Sequence, residues 1–278
     1  MPSDHDALEY AASHEAALCT IVGIEGSFSR RLGAQLAVGR DGTIAGDMAD
    51  NCLNAELARQ AGIAVAEGTA RVLRYGRDSP FIDFRLPCGS GLDILVDPAP
   101  DRAALRACVA ELQARREATL PLPSPAGLLR ERRYMPALRL LVLGAGAECV
   151  ALEILAAAQG LAVERREAGQ HLSLNLVPRD LEADRWTAVL LLFHDHEWEH
   201  ALLDWALGTP AFHIGAQGGA PAREERVERL RAAGHGEEAI ARIKSPIGLI
   251  PRARDSQVLA LSALAYVVGA YEALHPHQ

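Results

Sequence analysis

The segment "LRLLVLGAGAECVALEILAAAQGLAVERRE", residues 138–167, constrains the fold more than any other part of the chain. An unbroken apolar run, a glycine turn and then apolar residues at helical spacing read as a buried strand entering a helix through a tight bend. The second strand that follows, "LAVERRE", must run parallel to the first, because a helix-length crossover returns the chain to the same edge. "TAVLLLF", "PAFHIGA", two charged helical stretches and the apolar "SQVLALSALAYVVGAYEAL" continue the alternation. The pattern predicts an α/β protein whose residues 138–278 form a Rossmann-like, doubly wound parallel sheet covered on both faces.

The glycine turn also suggests chemistry. Gly144 permits the bend, and Gly146 opens the helix N-terminus to a phosphate, as in a dinucleotide fingerprint. The third fingerprint position is Cys149, and where an acidic residue is expected to end the second strand, Glu164 is followed by Arg165 and Arg166. His194 and Asp195, at the end of "TAVLLLF", are placed to touch a ligand at the carboxyl edge of the sheet. On this evidence an NAD(P)- or FAD-dependent oxidoreductase is one functional reading.

Another comes from His196-Glu197-Trp198-Glu199-His200, a literal H-E-x-x-H. On a helix, that spacing stacks two imidazoles one turn apart beside a glutamate, as zinc hydrolases require. A third ligand is also needed, and Glu224 and Glu225 stand in the charged run "REERVERLR", which reads as solvated. The pair is therefore expected to be a solvated helix face, with no metal site.

Residues 1–118 mix short strands ("ALCTIVGI", "AQLAVG", "TIAG", "ARVLRYG", "FIDF", "GLDILVD") with helices at "NCLNAELARQAGIAVAEG" and "DRAALRACVAELQARRE", an N-terminal α+β domain. Four prolines between Thr119 and Pro136, with charge at "RERR", mark residues 119–137 as a linker. A net charge of −8 argues against nucleic acid as the ligand, since phosphate backbones demand clustered Lys and Arg. The opening "MPSDHDALEY" is acidic where a signal peptide is basic, and no apolar run reaches spanning length, so a cytoplasmic protein without membrane contact is expected.

Within the N-terminal domain, "GIEGSFSRRLGAQLAV" sets Ser27, Ser29, Arg30 and Arg31 in a glycine-flanked turn, either a basic hairpin loop or a cradle for phosphate. Cys52 opens a helix, where the macrodipole favours thiolate, and Cys88 sits in a glycine loop leading into a strand.

In order along the chain, "CTIVGIEGSFSRRLGAQLAVGRDGTIAGDMADNCLNAELARQA", "LPCGSGLDILVDP", "LGAGAECVAL", "FHDH", "PAFHIGAQGG" and "RIKSPIGL" resemble the XdhC/CoxI family of xanthine dehydrogenase accessory factors. The resemblance implies a chaperone more than an enzyme. It would bind molybdenum cofactor, protect it while a sulfido ligand is installed, and deliver it to a molybdenum hydroxylase client, with a cysteine desulfurase as sulfur donor. By matching motif, Cys52 is the cysteine of the family's glycine-cysteine segment and Cys88 that of its cysteine-glycine-glycine loop; Ser27, Arg30, Gly144, Gly146, His194 and Asp195, from their place in the sequence, are further cofactor-binding candidates. The chain departs from the family's pattern at Asp50 and Asn51 before the first cysteine, at "QGGAPA" after "IGA", and at "IPRARD" after "PIGL". Whether it forms a homo-oligomer is left open.

Overall fold

The computed structural model describes residues 3–48, 51–79 and 89–277. The chain divides into two compact units, Pro2–Pro136 with His275–Gln278, and Ala137–Leu274.

The first unit begins with a helix, α1 (Ser3–Ser13), that sequence reading treated only as an acidic opening. Ala7, Leu8, Ala11 and Ala12 are buried while Asp6 and Glu9 face water, so the segment carries a helical apolar stripe beneath its charge. Strands β1 (Ala16–Glu25), β2 (Gln35–Gly39) and β3 (Ile44–Gly46) precede helix α2 (Asn51–Glu67), and β4 (Arg71–Gly76) and β5 (Gly91–Asp97) follow it. They form one antiparallel sheet in the order β3-β2-β1-β5-β4. Period-two alternation sorts its side chains. Cys19, Ile21, Leu36 and Ile94 pack on Leu53, Leu57 and Ala61 of α2, whereas Leu18, Val22 and Leu95 pack on α1 and on Leu105 and Cys108 of α3 (Arg102–Gln113). The strand expected at "FIDF" lies outside the described residues.

The proline-bearing segment is not a solvated connector. It folds into a hairpin, β6 (Ala118–Pro121) paired with β7 (Glu131–Tyr134), whose Ala118, Leu120 and Tyr134 alternate into the same core as α1 and α3. Pro121 ends β6, Pro123 and Pro125 lie in the connection and Pro136 follows β7, all in or beside a two-stranded sheet where missing donors cost little. The Tyr134 hydroxyl donates to Gln35 Oε1 at 2.6 Å and Gln35 Nε2 donates to Thr20 Oγ1 at 3.0 Å, a buried chain tying hairpin to sheet. Residues 275–277 belong to this unit as well: His275 and His277 are buried, and the Arg133 N–H donates to His277 Nε2 at 2.8 Å.

The second unit is the expected parallel sheet. Strands β8 (Arg139–Gly144), β9 (Ala162–Glu167), β10 (Thr187–Leu192), β11 (His213–Ala216) and β12 (Ile243–Lys244) stand in the order β12-β11-β10-β8-β9. Helix α4 (Ala147–Ala158) packs against α8 (Ser256–Glu272), which meets β11 where the rings of His213 and Tyr266 lie 5.3 Å apart. On the other face, α5 (His200–Leu207), α6 (Ala220–Ala232) and α7 (Glu237–Ala241) bury Leu203, Leu230 and Ile240 against Leu141, Val189 and Ile214. Strand order reverses direction between β8 and β10, the point where open α/β sheets form a ligand crevice. Among the described residues no helix is long and apolar enough to cross a membrane.

Candidate functional site

At the reversal point, β8 ends in Gly144, and a Cβ there would lie 2.2 Å from the Leu192 carbonyl oxygen of β10. Only glycine lets these strands sit side by side at the turn. Gly146, at φ +109°, caps α4 without a side-chain hydrogen bond, leaving helix N–H groups facing the crevice. His194 is brought to the same place, its Nε2 3.4 Å from Glu148 Oε1 in the first turn of α4. Glu148 is a residue that the motif alone did not flag. Its carboxylate, 3.1 Å from a Cβ built on Gly146, stands where a fingerprint would seat a phosphate. Asp195 caps the turn that follows, accepting from the Glu197 N–H at 3.1 Å. The acidic residue at the end of β9 is Glu167, in register with Gly144, three positions beyond Glu164. β9 runs three residues past Glu164, so that Glu167 stands at its carboxyl end.

The H-E-x-x-H is not a helix face. His196–Glu199 form a 3₁₀ turn and α5 starts only at His200. Glu199 is 1% exposed and takes both oxygens to Arg226, at 2.7 Å to Nε and 3.1 Å to Nη2. Arg226, itself 4% exposed, also donates to the Gln217 carbonyl and to Ser245 Oγ, each at 2.7 Å. One guanidinium thus joins the loops that follow β10, β11 and β12. Its place in "REERVERLR" read as solvent-facing, since a sequence shows a charge but not its partner 27 residues away. Among the described residues no three His, Cys, Asp or Glu side chains group as metal ligands.

In the first unit, the glycine-flanked turn meets two other segments. Ser90 Oγ donates to the Ser27 carbonyl, joining the turn to the start of β5, one residue past Gly89 and two past Cys88. Arg30 pairs with Asp47, whose other oxygen accepts from Asn54 Nδ2 at 3.0 Å, while Asn54 Oδ1 accepts from the Met48 N–H at 3.0 Å. The turn is thereby joined to the first turns of α2, where Cys52 is the second residue. The side chain of Cys52, and Cys88 altogether, lie outside the described residues. Asp47 and Asn54, which sequence reading did not single out, neutralise and hold Arg30. Nearby, Glu25 pairs with Arg74 and Arg77, and Asp93 with Arg74 at 2.9 Å; the arginine hydrogen bonds hold the Glu25 carboxyl below the usual range.

The other cysteines are inert by burial. Desolvation pushes the Cys19 thiol up to about 12, with Asp97 adding to it, and the Cys149 thiol up to about 11; Cys108 is raised for the same reason.

Comparison with known proteins is consistent with this division of the chain. Residues 10–76 match the XdhC and CoxI family, and residues 140–267 match the XdhC Rossmann domain. Over 269 residues the chain is 33% identical to the molybdenum cofactor insertion chaperone PaoD of Escherichia coli (strain K12), covering 91% of this chain and 82% of that protein. Its fold is also that of a crystal structure described as a xanthine dehydrogenase from Bacillus halodurans, with a TM-score of 0.73 at 19% identity, over 99% of this chain and 97% of that one. With both family segments matched in order and a relative sharing a third of its residues along most of both lengths, the chain belongs to the XdhC/CoxI family.

Proposed function

We propose that this protein is a cytoplasmic chaperone that binds molybdenum cofactor in its N-terminal unit, holds it while sulfur from a cysteine desulfurase is installed, and passes it to a molybdenum hydroxylase of the xanthine dehydrogenase type. The observation that carries the reading is the meeting of three segments at one end of the first sheet: the Ser27–Arg30 turn, the start of α2 bearing Cys52, and the entry to β5 after Cys88. Soft thiolates suit a molybdenum dithiolene centre. Cys52 lies in the first turn of α2, with no acidic residue in that turn, where the helix macrodipole favours a thiolate. Serine hydroxyl and guanidinium suit the pterin phosphate, for which Arg30 exchanges its bond to Asp47. Similarity to the E. coli insertion chaperone supports the same assignment.

The oxidoreductase reading has one feature in its favour, Glu167 opposite Gly144, where a dinucleotide's ribose hydroxyls are usually held. Glu148 beside Gly146 opposes it by occupying the phosphate position with like charge. The deciding experiment titrates molybdenum cofactor into wild type, Cys52→Ala and Cys88→Ala, with folding followed by circular dichroism. Loss of affinity in either folded variant is expected. Wild-type affinity in both would return the two thiols to a structural role.

A further inference from the structure

We infer that the second unit carries a separate binding site, for an organic phosphate monoester, in the cleft between α6 and the loop that follows β12. Two adjoining cavities open there, of 870 Å³ and 480 Å³, which share Arg223, Val227, Arg231 and Pro246 as lining. Each by itself has the size of a site for a small organic ligand. They lie beyond the carboxyl ends of β11 and β12, and neither Gly144, Gly146 nor His194 is among their lining residues.

The two cavities differ in chemistry. The smaller is lined by Arg223, Arg226, Arg231 and Lys244, and among the described residues its only carboxylate is Glu237, already taken by Arg231. Arg226 is neutralised by Glu199. That leaves two cations without an ion pair among the described residues, Arg223 and Lys244, the latter donating only to the Ala241 carbonyl at 3.2 Å. Ser245, at the same wall, accepts from Arg226 at 2.7 Å, so its own hydroxyl proton is available to donate. Two cations and a positioned hydroxyl around a recess are a phosphate-binding arrangement.

The larger cavity is apolar along Val227, Ile247, Ile250 and Leu259, with a few polar groups set into it. Gln217 Oε1, in its lining, is buried without a hydrogen-bond partner among the described residues and is an acceptor for a ring N–H or amino group. Glu224 and Glu228 line the same cavity and can accept from exocyclic amines; Arg252 lines it too. The arrangement therefore seats one phosphate in the smaller cavity and a heterocycle in the larger. A free nucleoside monophosphate and the phosphorylated pterin of the cargo share this chemistry; the second source rests on the function proposed above, the first does not.

The test uses the full-length chain and isothermal titration calorimetry. In one arm AMP, GMP, CMP, UMP and ATP are titrated; in the other, isolated molybdenum cofactor. Binding is expected in at least one arm. Arg223→Glu and Lys244→Glu, both at exposed positions and checked by circular dichroism, should each weaken it by about tenfold or more, as loss of a charge-assisted phosphate contact does. A nucleoside monophosphate should bind with the Cys52→Ala variant as with wild type, which separates this site from the N-terminal one. Binding confined to the cofactor arm but still lost in Arg223→Glu identifies the pterin phosphate as the occupant. No binding in either arm, or affinity that survives both charge reversals, would overturn the proposal.

Discussion

Acidification should destabilise the second unit through one residue, His213. It begins β11 with 4% of its surface exposed, its ring edge-to-face with Tyr266, and its Nε2 buried without a hydrogen-bond partner among the described residues. Burial, with the charge of Lys244 adding to it, lowers its pKa to about 4 from an ordinary 6.5. The folded state thus keeps the imidazole neutral where the unfolded chain would already be protonated. Between those two values the unfolded state holds more protons, so stability falls as pH falls, starting near 6.5 and levelling off below about 4. The whole interval is worth about 3 kcal/mol, and about 2 kcal/mol is lost by pH 5. The three tryptophans, Trp186, Trp198 and Trp205, all lie in the second unit, so urea denaturation followed by tryptophan fluorescence reads that unit alone. Wild type and His213→Leu should be compared at pH 7 and pH 5, the variant lacking the titrating group but keeping an apolar side chain. Other ionisable groups act on both proteins equally, so the difference between the two pH dependences isolates His213. Parallel losses would refute the reasoning.

Other perturbations test other contacts. Arg226→Met strands the Glu199 carboxylate in the interior and should cost about 3–5 kcal/mol by the same fluorescence assay, with much of it recovered in the Arg226→Met/Glu199→Leu double variant. Tyr134→Phe removes the donor to Gln35 and should cost about 1–2 kcal/mol in the first unit, read by far-ultraviolet circular dichroism during urea titration; no change would mean that the hairpin is loosely held. Glu197→Gln should leave cofactor delivery unchanged, and elemental analysis of the purified protein should find no stoichiometric zinc; one tightly held zinc per chain, lost on changing His196 and His200, would contradict this.

What sequence could supply and what it could not follow from the range of the interactions involved. "LRLLVLGAG" was legible because a buried strand, a glycine that must not carry a Cβ and a helix start are all local features. The hairpin at 118–134 was not, since its alternation covers four residues a side and its decisive bonds go to Gln35 and to the α1 and α3 core. Charge was the least readable property. The run holding Arg226 looked solvated until the fold placed that residue against Glu199, and Arg30 looked available until Asp47 came within reach. The site candidates Ser27, Arg30, Gly144, Gly146, His194 and Asp195 sit in loops whose positions the strands dictate, but which groups oppose them, Glu148 above all, depends on packing that no spacing rule reports.

The return of residues 275–277 to the first unit makes that unit discontinuous in sequence while the second is a single insertion within it. During synthesis the Ala137–Leu274 unit can close as soon as its own residues have emerged. The sheet, helices and hairpin of the first unit, made earlier, wait for His275 and His277 to cover the surface around Gly33 and Arg133. The unit proposed to receive the cofactor is thus the last to be finished, after the second unit has been made. A fragment ending at Pro136 would lack part of its own interior rather than merely a neighbour.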